Sequence, residues 1–150
     1  MKPLYVLLGA FITSLIILRF GFGGFDYSLS GRISMSIMLI FTSIGHFAFS
    51  KGMILMIPDF IPFKKTFVYF TGIVEVAAAI GILIHSIQDI TALLLIIFFI
   101  LILPANINAA IKQVDFQKAN NEGSGINYLW FRIPLQLLFV AWSYFFAIYL

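Results

Sequence analysis

The chain has 150 residues, 62% of them hydrophobic and 10% charged, where an ordinary soluble domain has roughly 45–50% and about 25%. With a mean hydropathy of +1.08 it has too little polar surface to cover a globule in water, so a water-soluble fold is excluded and lipid must surround much of the chain. Nine Lys and Arg against six Asp and Glu leave only +3, and the eighteen Phe, six Tyr and two Trp suit bilayer packing and interfacial belts, which excludes nucleic-acid binding. The absence of cysteine removes thiol catalysis, disulfide exchange and Cys-based metal sites, so any redox role needs a partner or a bound cofactor.

The first apolar run, Leu4 to Leu18, is uncharged and bracketed by Lys2 and Arg19. A signal peptide, a short spanning helix and an interfacial helix all have this form. The bulky sequence that follows, Arg19-Phe20-Gly21-Phe22-Gly23-Gly24-Phe25, lacks a small-x-small cleavage site and favours a span. Its fifteen residues cover roughly 22 Å of a ~30 Å hydrocarbon core, so Phe20 and snorkelling by Lys2 and Arg19 complete it. Four longer runs follow, Ile33 to Ser50, Thr66 to Ser86, Ile90 to Ile111 and Leu129 to Leu150, and each is long enough to cross a bilayer. Helices are therefore expected at about 4–20, 33–50, 66–86, 90–111 and 129–150, as one all-α polytopic membrane bundle over residues 1–150.

The connections differ in character. Residues 21–32, rich in Gly and aromatics, read as a tight interfacial loop, and Ser86 to Asp89 as a minimal turn. Residues 51–65 are apolar but interrupted by Pro58 and Pro62, which predicts a broken hairpin lying in the headgroup region. Residues 112–128 are the only plainly aqueous stretch. With the N-terminus inside, the inner loops carry Lys2, Lys51, Lys64, Lys65, Lys112 and Lys118, and the outer side Arg19 and Arg32. That asymmetry predicts a cytoplasmic N-terminus and an external C-terminus.

Only Glu75 and Arg132 place a formal charge inside the four longer runs, and an ionisable group at that depth needs a partner or a function. Counted from the end nearer the 51–65 and 112–128 connections, His46, Glu75, Asn106, Arg132 and Gln136 all fall in one leaflet, roughly 5–14 Å deep. Ser36, Ser43, His46 and Ser50 share a stripe of the second helix, and Tyr128, Arg132, Gln136 and Ser143 a stripe of the fifth. Gly72, Ala77, Ala78, Ala79 and Gly81 let a neighbouring helix approach Glu75, whose expected counter-charge is Arg132. Pro104 leaves the Ile100 carbonyl without its donor and predicts a kink just before Asn106, while Asn106 and Asn108 cannot both face inward. These residues form either a ligand site or structural glue, with Glu75 and Arg132 as an ion pair that holds helices together. His46 lacks further ligands at metal spacing, so no metal is expected. His85 reads as interfacial at the opposite end and Trp130 and Trp142 as anchors or packing, while hydrolase, nucleotide and dinucleotide motifs are absent.

Gly45-His46-Phe47, the Pro58 to Pro62 connection, Thr71-Gly72-Ile73-Val74-Glu75 and Pro104-Ala105-Asn106-Ile107, in this order, resemble the DoxX family of small bacterial membrane proteins, and Gln136 is consistent with it. The resemblance covers about residues 31–150 and implies a four-helix DoxX-like core, to which Leu4 to Leu18 adds an extra N-terminal transmembrane helix. It implies a bacterial inner-membrane location and an association with quinone-linked or oxidative-stress redox chemistry, with His46, Glu75, Pro104, Asn106 and Gln136 at motif positions. The cysteines of some redox-associated relatives are missing here. The expectation is a redox-associated accessory subunit whose leaflet pocket takes a quinone-like or lipid headgroup and whose partners are the bilayer and a membrane or redox protein, a homo-oligomer being left open. The alternative is a non-catalytic scaffold or assembly factor, and a small transporter is disfavoured because no inverted repeat is present.

Overall fold

The computed structural model describes residues 2–150, and among them the chain is helical without a strand. The elements are α1 (Lys2–Phe22), α2 (Tyr27–Ala48), α3 (Ser50–Met56), α4 (Lys64–Gly81), α5 (Gln88–Leu101), α6 (Leu103–Ile111) and α7 (Ile126–Tyr144), the last running into a π-helical turn, Phe145–Tyr149. Four stretches are long and apolar enough to cross a membrane: Lys2–Phe22, Tyr27–Ala48, Gln88–Ile111 and Ile126–Tyr149. The protein is thus an all-α bundle built to sit in a bilayer. Helix α4 is shorter and carries Lys64, Lys65 and Glu75. Ser36, Thr42 and His46 of α2 nevertheless meet Ala79, Glu75 and Val68 of α4 in antiparallel order, so α4 runs alongside α2.

Several boundaries depart from the run lengths for local reasons. The loop expected at 21–32 shrinks to the residues between Phe22 and Tyr27, because Gly23 takes a left-handed φ of 75° just past α1 and Asp26 caps α2 by accepting from the Leu29 N–H at 2.8 Å. The expected interfacial hairpin begins as a helical turn, α3, and only then breaks at Ile57 and Pro58. Helix α4 ends at Gly81 rather than Ser86, where a Cβ would lie 2.6 Å from Thr91 Oγ1, so the turn to α5 is longer than the minimal one expected. The span over 90–111 is broken between α5 and α6 at Ile102, two residues before Pro104.

Helix α1 packs along α2, α2 along α4, and α5 along α7, while the end of α7 closes back onto the start of α2. At that last contact a Cβ on Gly31 would sit 2.1 Å from Cγ of Phe146, and the Trp142 indole N–H donates to the Gly31 carbonyl at 3.0 Å. Trp142 is therefore a packing residue with its polar tip satisfied. Leu7, Met35, Met38, Leu39, Ile82, Leu95, Phe99, Leu135 and Phe139 form a continuous apolar core. Toward the turn after Gly81 the buried polar residues are Ser and Thr, while Glu75, Asn106 and Gln136 are buried toward the other end.

Two connections cover the polar half. The segment from Val114 to Gly123 folds on itself through the Asp115–Asn120 backbone pair and lies against α3. A Cβ on Gly52 would come within 1.8 Å of the Phe116 carbonyl oxygen, and the Asn108 amide donates to the Met56 carbonyl at 2.8 Å. Beside it, Asp59 accepts from Lys112 at 2.6 Å and Lys64 at 2.7 Å. The hydrogen bond from Lys112, then that from Lys64, lowers its carboxyl from 3.8 to about 2. A depressed carboxylate stabilises where it is ionised, so this clamp is complete above pH 3.8 and is lost as the pH falls through about 2. Phe60 and Phe63, each 83% exposed, flank the clamp and give this end an aromatic surface suited to a lipid interface.

The Gly52 contact gives a direct test. Gly52→Ala drives a methyl into backbone rather than a flexible side chain, so the 112–125 connection must lift, and trypsin is expected to cut at Lys112 and Lys118 faster than in the parent. Asp59→Asn removes only exposed contacts, and its effect on the same cleavage is expected to be smaller. Equal protection of parent and Gly52→Ala would contradict the close packing.

Candidate functional site

The five polar residues singled out by depth line one cavity of about 780 Å³, together with Thr42, Thr71 and Tyr128. They do not form a single network. The first group lies where α2 crosses α4: His46 Nε2 stands 3.5 Å from Glu75 Oε1, and Thr42 Oγ1 donates to Glu75 Oε2 at 3.0 Å. Glu75 is only 5% exposed, and the close approach that lets α2 reach it depends on Gly72, where a Cβ would lie 2.9 Å from the His46 Cβ.

The orientation of the imidazole follows from its other neighbours. His46 Nδ1 is 3.1 Å from the Val68 carbonyl oxygen and 3.1 Å from Thr71 Oγ1. The Thr71 hydroxyl also lies 2.9 Å from that carbonyl, so the imidazole ring is held against α4 by side chain and backbone together. Nε2 faces the Glu75 carboxyl across the α2–α4 contact.

The second group joins α6 to α7. Asn106 Nδ2 donates to Gln136 Oε1 at 3.0 Å, and the Gln136 amide donates in turn to the Phe99 carbonyl in a short contact. This carbonyl is one residue before the Ile100 carbonyl that Pro104 leaves without a donor, so the break in the fourth span does supply an acceptor close to the expected place. Asn108 points away from Asn106, toward Met56. Arg132 Nε donates weakly to Asn106 Oδ1 at 3.4 Å, and its guanidinium lies 6.0 Å from the Tyr128 ring centre.

The expected Glu75–Arg132 pair is therefore not formed. Glu75 is met by His46 and Thr42, and among the described residues no carboxylate lies within 4.0 Å of Arg132. The physical reason is which helices touch: α2 lies against α4, whereas α7 packs on α5 and α6. The serine stripe of α2 is also divided, since Ser36 and Ser43 bond backbone carbonyls and Ser50 belongs to α3. Thr42 and Thr71 are residues that depth alone misses. Each stands four positions before His46 or Glu75 on its own helix, so the spacing places both on the faces that meet. Tyr128 contributes a hydroxyl that is buried with no hydrogen-bond partner. His85, at the other end, is exposed and 3.4 Å from Gln88. No three His, Cys, Asp or Glu among the described residues come together as a metal site.

A family profile described as "Domain of unknown function (DUF8561)" matches residues 35–147. The chain belongs to that family. The match takes in all of the cavity's polar residues named above and leaves α1 outside it. No curated protein and no solved structure matches this chain.

The split between the two groups predicts where energetic coupling is found. A double-mutant cycle on His46→Ala and Glu75→Gln is expected to show a coupling of about 0.5–3 kcal/mol in thermal stability in detergent, as contacting residues do. The corresponding cycle on Glu75→Gln and Arg132→Gln is expected to be smaller. The reverse order would restore the direct Glu75–Arg132 pair.

Proposed function

We propose that this protein is an accessory membrane subunit that holds the polar head of a quinone-like or lipid amphiphile in the cavity between α2, α4, α6 and α7. The observation that carries the reading is the cavity itself. His46, Glu75, Asn106, Arg132 and Gln136 all border one space of about 780 Å³ whose other walls include Met38, Phe41, Phe99 and Phe139, the mixture of few polar groups and many apolar ones typical of small-molecule sites. His46 and Glu75 serve as hydrogen-bond or proton partners of the head, and the apolar walls take the tail. The resemblance to the DoxX family adds redox partners to the proposal: electrons would come from another protein, because this chain has no thiol. A second reading, a scaffold for a partner complex, is favoured by Gln136, which is satisfied on both sides and ties α7 to the broken fourth span.

Purification in a mild detergent followed by solvent extraction and mass spectrometry tests the choice. The pocket reading expects an amphiphile retained near one per chain, and depleted in Glu75→Gln or His46→Ala preparations that keep the parent's helicity and monodispersity. Should those variants lose stability while retention of every extracted molecule stays unchanged, the scaffold reading replaces it.

The topology belongs to the same proposal: residence in a bacterial inner membrane, five passes, the N-terminus in the cytoplasm and the C-terminus outside. It is supported by six Lys at the end that carries α3 and the 112–125 connection, against Arg19 and Arg32 at the other. Single cysteines at Asn121 and Ser28 are expected to react with impermeant thiol reagents from the cytoplasmic and external sides, respectively. Labelling of both from one side would refute the arrangement.

A further inference from the structure

Resting on the amphiphile-pocket reading, we infer that the head bound in this cavity is anionic, an acidic oxygen head such as a carboxylate or a phosphodiester seated on Arg132 and the Tyr128 hydroxyl. The argument is an inventory of what the cavity has left unsatisfied. Its acceptors are already engaged: Glu75 by Thr42 and His46, Gln136 Oε1 by Asn106, and Asn106 Oδ1 by Arg132. The unengaged capacity lies in donors. The Tyr128 hydroxyl is buried without a partner, and Arg132, one turn further along the same face of α7, has only the 3.4 Å contact from Nε. A buried donor left unpaired costs free energy, so a ligand that supplies acceptor oxygens is favoured there.

Charge points the same way. Glu75 is met by His46 and Thr42 where α2 crosses α4, and not by Arg132. Asp115, at the rim, already accepts from the Gln117 and Lys118 amides, and Lys2, also at the rim, is cationic. The Arg132 guanidinium therefore borders the cavity as a cation with no carboxylate within 4.0 Å among the described residues. A guanidinium in a low-dielectric site recognises a carboxylate or phosphate with two parallel hydrogen bonds, which a neutral quinone carbonyl does not match.

The test uses the full chain in maltoside micelles, with native mass spectrometry to read the apparent Kd for four probes: oleate, phosphatidylglycerol, phosphatidylcholine and a prenylated benzoquinone. Oleate and phosphatidylglycerol are expected to bind about tenfold or more tightly than the benzoquinone, the scale of one charge-assisted hydrogen bond, and phosphatidylcholine, whose phosphodiester is offset by its choline, is expected between them. The tighter of the two acidic probes names the source of the head. Arg132→Gln is expected to abolish the preference, Arg132→Lys to keep part of it, and Tyr128→Phe to weaken acidic probes without altering charge selectivity. If Arg132→Gln does not fold, Arg132→Lys and Tyr128→Phe are read instead, and unchanged affinity for the acidic probes in both overturns the inference. A preference that survives Arg132→Gln in a folded protein also overturns it, since it then belongs to the surface lysines. Quinone binding as tight as that of the acidic probes removes the anionic inference and leaves the amphiphile pocket standing. Failure of all four probes to bind removes both.

Discussion

A carboxyl group 5% exposed inside a bundle built for lipid is the constraint around which the polar half of this protein is organised. An unpaired charge there would cost several kcal/mol. The cost is avoided by bringing α2 close enough for His46 and Thr42 to reach Glu75. That approach requires Gly72, because any side chain would strike His46. The identity of one residue thus fixes the distance between two helices, and through it the rotation of α2 about its axis.

The α6–α7 side of the same cavity meets a different demand. With lipid outside, backbone groups must be satisfied by the protein, and the break at Ile102 would leave carbonyls of α5 without donors. Gln136 answers it from α7 by donating to the Phe99 carbonyl while accepting from Asn106. The helix break, the amide bridge and the cavity wall are consequently one feature. Below it, Met38, Phe99, Leu135 and Phe139 belong both to the core and to the cavity lining, so the packed half of the bundle serves as the floor of the polar half. Above it, the 112–125 connection closes on α3 at Gly52. A site built this way rests on helices held from two sides rather than on a loop, which is the condition for side chains to keep a defined geometry.

Helix α1 stands apart from this arrangement. It packs along α2, much of its surface faces outward, and the family match begins beyond it at residue 35. The cavity's polar residues all lie within the matched portion, so the site belongs to the part of the chain that defines the family.

Composition alone determined that lipid replaces water around this chain, because the ratio of apolar to charged residues leaves no other solvent. Run lengths determined most of the helices, and a fixed rise of about 1.5 Å per residue then placed His46, Glu75, Asn106, Arg132 and Gln136 at a common depth. Local chemistry that marks helix ends was also written in the chain, in Gly23, Asp26 and Pro104, although run lengths by themselves drew the first loop too long. Depth could not decide partners. Which residue neutralises Glu75 depends on which helices touch and how each is rotated, and those follow from close contacts such as Gly72 on His46 and Gly31 on Phe146 between segments far apart in sequence. Arg132 shares a depth with Glu75 but stands on a helix that packs elsewhere, so only the tertiary structure could separate one expected ion pair into an imidazole–carboxyl contact and an arginine left facing the cavity.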